Sequence, residues 1–445
     1  MLKGKQPVAM DDLLALKVGS IWLAFKQQSF AFWMVCAYLF FEYVRPHSII
    51  PALDILPWAQ TFLLLSIVGL LADRNHKWVK SPINVWMLLF FLIIIFSSVF
   101  AYDQAIAWKH LPDFYTWLII YFVVINSVTN EQRLFIFLMI FVLASAKLAF
   151  FGARTWAFRG FGFTSWGLMG PPGFFQNSGE LAIQMSIFFG LSVSIFTALK
   201  NKVKGLRYWF LFLCPIAAAM TIMGASSRGA QLALAVQLLI LFYKKITLKR
   251  VFLAIFIGGV VFSLLPEEQF ERFQSMGEDE TSKQRILYWE NGLDMMLDHP
   301  ISGVGYFNFP TYYNRFYSDD LLGMRAKKGA ELPHNIFIQV GAEVGVFGLI
   351  AYLLLMALFF SFTKNIKVGS RSNIYRSSWL IDVSRGLLIG LIGFVIAGQF
   401  VSVVYYPFLW VHLALIVALK NIVVVNKMTA KSLPINLALN GKRDD

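Results

Sequence analysis

The sequence has few charged residues and few cysteines for its length. Charged side chains make up 14% of 445 residues, whereas soluble domains carry about a quarter. The two cysteines, Cys36 and Cys214, are too few for a disulfide framework or a zinc site. Walker A, HExxH, GxSxG and CxxC motifs are all absent. The chemistries that depend on those motifs are therefore not indicated.

Apolar residues dominate what is present. Hydrophobic residues account for 58% of the chain, with 44 Phe, 16 Tyr and 13 Trp, and the mean hydropathy is +0.63. Such a composition excludes a soluble, disordered or collagen-like protein and indicates a protein with several membrane spans.

Long apolar runs predict an all-α polytopic membrane protein with about twelve transmembrane helices. The runs are 28–44, 58–73, 83–101, 114–128, 131–150, 179–199, 208–224, 229–243, 251–265, 335–360, 386–403 and 405–420.

Basic residues alternate along the chain in the way that membrane topology requires. The N-terminal segment, the tail and every second connection carry 26 of the 39 Lys and Arg residues, and the alternate connections carry 12. Because Lys and Arg collect in cytoplasmic loops, the first set is predicted to be cytoplasmic. The net charge of +14 is then a topological feature and calls for no nucleic-acid partner. The apolar stretch 12–25 is interpreted as an interfacial helix.

These assignments divide the chain into five segments, one of which is a large outward loop. That loop, 266–334, holds 12 acidic against 7 basic residues and is predicted to form a lid. Within it, Ile286, Trp289, Leu293 and Met296 recur at helical spacing and predict an amphipathic helix. The segments are an N-terminal segment (1–27), spans one to nine (28–265), the lid (266–334), spans ten to twelve (335–420) and a cytoplasmic tail (421–445).

Two ionisable residues lie where outward connections meet the membrane. Arg228 lies between two predicted spans that are joined by almost no loop, on the side where the positive-inside rule predicts few basic residues. An ionisable residue at the membrane boundary is a functional candidate. The alternative is an interfacial anchor. His334 opens span ten, and its pKa near neutrality suits a general base, although a helix cap is the alternative.

Other outward residues could bind a substrate. Arg285 lies four residues before Trp289 on the lid helix, and the alternative for it is a solvated charge. The Gly- and aromatic-rich loop 153–180 carries Arg154 and Arg159, with Lys147 one turn inside the preceding span. Guanidinium groups and aromatic faces suit phosphates and sugars, or equally a membrane interface.

Cations at the outer membrane boundary suit a lipid diphosphate. Arginines can hold the diphosphate and stabilise its leaving-group charge, while a histidine removes a proton from an incoming hydroxyl. The expected chemistry uses no metal and no cofactor.

An ordered set of motifs across roughly 170–360 resembles the O-antigen ligase/polymerase superfamily. The set comprises SSRGA (226–230), the outer-loop residues Arg285 and Trp289, HPxxGVGxxNF (299–309) and HNxxxQxxxExG (334–345). An earlier GFFQN run (173–177) fits as well. The segment EYVRPHSIIP (42–51) has a fainter likeness to ligases of exopolysaccharide gene clusters.

The resemblance implies an inner-membrane glycosyltransferase that works on the periplasmic face. Such enzymes take a glycan from undecaprenyl diphosphate, and ligases move it to a hydroxyl of lipid A-core with inversion, without metal or ATP. The ligase pattern of two arginines and a histidine falls on Arg228, Arg285 and His334. Binding roles are predicted for Arg154, Arg159, Lys147, Asn177, Trp289 and Asn335.

Three other functions remain open at this stage. A polymerase shares the chemistry and uses another lipid-linked repeat as acceptor, and a protein O-oligosaccharyltransferase uses Ser or Thr. A lipid-linked glycan transporter would belong to a different class. Transporters place ionisable groups near the midplane of repeated halves, whereas the cations here are predicted at the outer face.

Overall fold

The computed structural model describes residues 8–74, 76–162, 164, 167–243, 280–369 and 378–432. Within these ranges the regular secondary structure is entirely helical, which confirms the all-α prediction. The ninth predicted span, 251–265, and the first part of the predicted lid, 266–279, lie outside the described residues.

Seventeen α-helices occur in the described ranges, together with short 3₁₀ turns at Pro51–Leu53 and Ser318–Asp320. In chain order they are α1 (Met10–Leu14), α2 (Val18–Lys26), α3 (Phe30–Val44), α4 (Pro46–Ile49), α5 (Trp58–Ala72), α6 (Pro82–Val99), α7 (Gln104–Ser127), α8 (Glu131–Phe158), α9 (Ser178–Leu199), α10 (Leu206–Gly224), α11 (Arg228–Phe242), α12 (Glu280–Asp298), α13 (Phe309–Phe316), α14 (Met324–Lys328), α15 (Ile336–Gly369), α16 (Ser378–Ala397) and α17 (Pro407–Ser432).

Eight helices in the described ranges are long and apolar enough to cross a membrane. They confirm a multi-pass protein, while the count of about twelve stays a prediction. Three further predicted spans coincide with α3, α7 and α11, which are shorter or less apolar. The eight are Pro51–Ala72, Pro82–Val99, Glu131–Phe158, Ser178–Leu199, Leu206–Gly224, Ile336–Thr363, Ser378–Ala397 and Pro407–Val425.

The connections gather at two opposite ends, which we name by their contents. At the basic end, the connections 74–81, 126–133 and 200–207 meet the N-terminal helices, for example through Lys202 Nζ and Asp11 Oδ1 at 2.7 Å. Helix α2 has nine residues, so it is about 14 Å long and too short to cross the hydrocarbon core.

The other end, which we call the site end, joins the connections that were predicted to face outward. It comprises 45–57, 102–113, 153–162, 164, 167–178, 225–228, 299–335 and 398–406. The Tyr102 amide donates to the Val304 carbonyl at 2.9 Å, and the Trp117 indole donates to the Tyr405 carbonyl at 2.8 Å. Among the described residues, the two sets of connections therefore lie at different ends, as the charge pattern predicts.

Helix α15 is interrupted at Gly345, where segment 299–309 docks. Gly345 has a φ of 75°, a left-handed conformation that glycine adopts without steric cost. The Val346 amide, displaced from the helical pattern, donates to the Pro300 carbonyl at 2.8 Å, and the Val304 amide donates to the Ala342 carbonyl at 2.8 Å. This docking fixes the segment that leads from α12 to the site.

The predicted amphipathic helix exists as α12, and its apolar positions cover more than one side. Ile286 and Leu293 are exposed, at 48% and 45%, whereas Met296 lies against Gly341 of α15. The side that packs on α15 also carries Tyr288, Gly292 and Met295. Gly292 decides the rotation, because a Cβ there would meet Ile338 and Phe309, so only this face allows the helix to approach so closely.

Candidate functional site

His334 stands at the centre of a polar cluster at the site end. Its backbone has a φ of 54°, a left-handed conformation that costs free energy in a non-glycine residue. Its amide donates to the Ser402 hydroxyl at 2.7 Å. This contact ties the start of α15 to segment 398–406 and sets the direction of the imidazole.

Trp289 and Phe400 bring two more elements to the same place. The Trp289 indole donates to the Pro333 carbonyl at 2.9 Å, directly before His334. Its ring centroid lies 6.5 Å from that of Phe400. A Cβ at Gly229 would overlap the Phe400 side chain, so the start of α11 packs here too. The backbone at Arg228, the first residue of α11, is therefore separated from Trp289 by Phe400.

An acidic residue holds the imidazole. Glu331 Oε2 lies 3.3 Å from His334 Nε2 and 3.0 Å from Arg325 Nη2. The hydrogen bond to His334, together with the charge of Arg325, lowers the pKa of Glu331 to about 2. Glu331 is therefore a carboxylate at any physiological pH, and it can only accept hydrogen bonds.

The ionised carboxylate assigns the tautomer of His334. Because Glu331 can only accept, the nitrogen that faces it, Nε2, carries the proton. The lone pair of the neutral ring is then on Nδ1, which makes no hydrogen bond within the described residues. A carboxylate that orients an imidazole in this way leaves the other ring nitrogen free to act as a base.

Arg285 lies close enough to act on the same imidazole. Burial lowers the pKa of His334 from its ordinary value, and the positive charge of Arg285 lowers it further, while the hydrogen bond to Glu331 raises it. The structure thus places Arg285 and Trp289 beside His334, and the start of α11, where Arg228 lies, packs on Phe400 next to Trp289.

Other predicted binding residues lie apart from this cluster or serve the backbone. Lys147 donates to the Val44 carbonyl at 2.8 Å. Arg154 lies over the Phe158 ring, with its Cζ 5.2 Å from the ring centroid. Arg159 donates to the Thr164 hydroxyl and to the Gly167 carbonyl, both in its own loop. Their binding roles stay predictions.

Two asparagines that were predicted to bind substrate cap helices. Asn177 accepts from the Gly179 amide at 2.8 Å at the start of α9. Asn335 accepts from the Phe337 amide at 2.9 Å at the start of α15. Such caps typically contribute about 1 kcal/mol, and they occupy the side-chain oxygen of each residue.

Sequence reasoning missed Glu331, Arg325 and Ser402. Glu331 lies three residues before His334, a spacing that offered a signal. Arg325 lies in the same connection, six residues before Glu331, but no motif marks it. Ser402 is brought in by the tertiary fold, and nothing in its local sequence marks it.

Replacing Glu331 with glutamine is expected to move the acid limb of the pH–rate profile to lower pH. The carboxylate raises the pKa of His334, while burial and Arg285 lower it, so only the lowering effects remain. A base works in its neutral form, and a lower pKa keeps it neutral in more acidic solution. Initial transfer rates between about pH 5 and 8 measure the limb. An unchanged limb would contradict the proposed pairing.

The fold and the cluster define a multi-pass membrane protein with a cation-flanked histidine at one end of its helices. Residues 213–353 match the family model described as O-Antigen ligase. This stretch contains Arg228, Arg285 and His334, and the match confirms the resemblance seen in the motifs. No curated protein matches the chain significantly. The family match implies an enzyme of the glycosyltransferase type, related to O-antigen ligases and polymerases.

Proposed function

We propose that this protein is an O-antigen ligase-like glycosyltransferase of the bacterial inner membrane. It moves a glycan from undecaprenyl diphosphate to a hydroxyl of lipid A-core on the periplasmic face, without metal or ATP. The observation that carries the proposal is the His334–Glu331 pair beside Arg285, inside the stretch that matches the ligase family.

His334 acts as the general base. Its Nδ1 takes the proton from the acceptor hydroxyl as that oxygen attacks the anomeric carbon of the donor. The new C–O bond forms while the bond to the diphosphate oxygen breaks, and undecaprenyl diphosphate leaves with the electron pair. Glu331 orients the ring and stabilises the imidazolium, as a carboxylate does in a catalytic triad.

Arg228 and Arg285 hold the diphosphate. Guanidinium groups bind phosphate oxygens with two parallel hydrogen bonds, and fixed cations stabilise the charge that develops on the leaving group. Glycosyl transfer from a diphosphate needs no further energy source. The positive-inside pattern, which puts the site end opposite the basic end, supports a periplasmic site.

A transfer assay with purified protein tests the activity. The protein is incubated with undecaprenyl-diphosphate-linked glycan and lipid A-core, with chelator present and without ATP or an ion gradient. Formation of the glycosylated core is expected. A transporter would give no product under these conditions.

The lipopolysaccharide banding pattern of a deletion strain tests the acceptor. Loss of every glycan-bearing band, with lipid-linked polymer accumulating, is expected for a ligase. A surviving band of core plus one repeat would identify a polymerase. Intact lipopolysaccharide with loss of a protein-linked glycan would identify an O-oligosaccharyltransferase.

A further inference from the structure

A cavity at the site end contains none of the residues of the His334 cluster. Its volume is about 650 Å³, and it lies between the ends of α3, α5 and α7 and the segments that carry Phe174, Phe307 and Tyr405. Eight of its twenty lining residues are aromatic. Its volume lies within the range of small-molecule sites, roughly 300–1,000 Å³.

Arg45 supplies the permanent positive charge of this cavity. The residue is half-buried, and its backbone is left-handed with a φ of 51°. Among the residues that the structure describes, no hydrogen bond or ion pair engages its guanidinium, although the charge of Glu42 lies nearby. A Cβ at Gly173 would overlap the guanidinium, so glycine at that position leaves room for it.

A histidine held in a fixed orientation lies on another wall. His110 Nδ1 and Asp113 Oδ2 are 2.9 Å apart. The imidazole stacks on Phe307, with ring centroids 4.3 Å apart and planes inclined by 8°. Phe307 belongs to the segment docked against α15, so the cavity and the His334 cluster share a supporting element.

Segment 398–406 also borders both the cavity and the His334 cluster. Ser402 receives the His334 amide, and three residues later Tyr405 lines the cavity. A substrate in the cavity is therefore adjacent to the segment that positions the base.

The charged residues of this cavity make it a different kind of site from the His334 cluster. A diphosphate carries at least two negative charges, and in this cavity Glu42 and Asp113 would repel it. Arg45 is the one arginine among the described residues that line the cavity. A saccharide with a single acidic group suits this lining better than a diphosphate does. Aromatic faces pack on sugar rings, and one guanidinium can form two parallel hydrogen bonds to one carboxylate or phosphate.

We propose that this cavity binds an acidic saccharide, with Arg45 pairing to its carboxylate or phosphate and the aromatic walls contacting its sugar rings. The proposal rests on the proposed function, in which this saccharide is the acceptor. The diphosphate of the donor is then held on the other side of segment 398–406, by Arg228 and Arg285.

Binding of a lipid-free core oligosaccharide to the purified full-length protein, with no donor present, tests the proposal. The second probe is the same oligosaccharide after dephosphorylation and carboxyl reduction. The acidic probe is expected to bind wild type. The Arg45→Gln substitution is expected to weaken the affinity for this probe about ten- to hundredfold, because it removes a charge-assisted hydrogen-bonded pair. Gly173→Ala is expected to weaken it as well, by displacing the guanidinium.

The matched control is Arg315→Gln, which removes an exposed arginine of α13 at the same end and outside the cavity. It is expected to bind like wild type. The neutral probe should bind wild type as weakly as the acidic probe binds Arg45→Gln. This comparison of the two probes uses only the wild-type protein, so it does not depend on the folding of a variant.

Three results would overturn the proposal: equal binding of the acidic probe to Arg45→Gln, equal binding of both probes to wild type, or weakened binding of undecaprenyl diphosphate alone in Arg45→Gln. The assay does not depend on turnover. Preserved acidic-probe binding in a protein that fails the transfer assay would therefore sustain this site and refute the proposed function.

Discussion

Glycan transfer is expected to fall by about 10²- to 10⁴-fold when His334 is replaced by alanine. Without an imidazole, no other group in the cluster can take the proton from the hydroxyl, because the carboxylate of Glu331 has its pKa lowered to about 2 and is a poor base. Donor binding should persist, since the arginines remain. The measurement is the initial transfer rate, with binding of undecaprenyl diphosphate measured in parallel.

A histidine at the other end of the protein provides the control. His76 lies in connection 74–81, where its ring contacts Asn126 at 3.3 Å, and His76→Ala is expected to retain wild-type transfer. Equal thermal unfolding of both variants would separate chemistry from folding. Wild-type turnover by purified His334→Ala would eliminate His334 as the base.

Replacing Arg228 with lysine is expected to lower the transfer rate by about 10²- to 10³-fold, in the range seen when one stabilising donor is removed. Lysine keeps the positive charge but loses the planar fork that binds two phosphate oxygens at once. A single ammonium on a flexible stem cannot present two donors in one plane, so it does not recover this geometry.

The conservative change separates catalysis from anchoring. An arginine that only anchors α11 at the membrane boundary would be replaced by lysine without loss, because both side chains reach the interface. Full activity of Arg228→Lys would therefore assign Arg228 to anchoring. Arg315→Lys, on the exposed face of α13, controls for the substitution itself and should leave the rate unchanged.

Local patterns in the sequence were enough to predict much of the fold. A membrane span depends mainly on the apolar character of a continuous stretch, and eight predicted runs are found as helices long enough to cross. Helix α12 shows what such patterns leave open. Its apolar spacing predicts an amphipathic helix, but the close approach at Gly292 determines which side meets α15 and leaves Ile286 and Leu293 exposed.

The sequence by itself determined the membrane class, the separation of basic from outward connections, and the family match over 213–353. These properties are local, since hydropathy and charge act within one stretch of chain. Only the tertiary structure placed Ser402 on His334 and His110 on Phe307, residues that no single stretch relates. Helix packing brings distant segments together, so the contact of His334 with Ser402 and the Arg45 cavity depend on the folded arrangement.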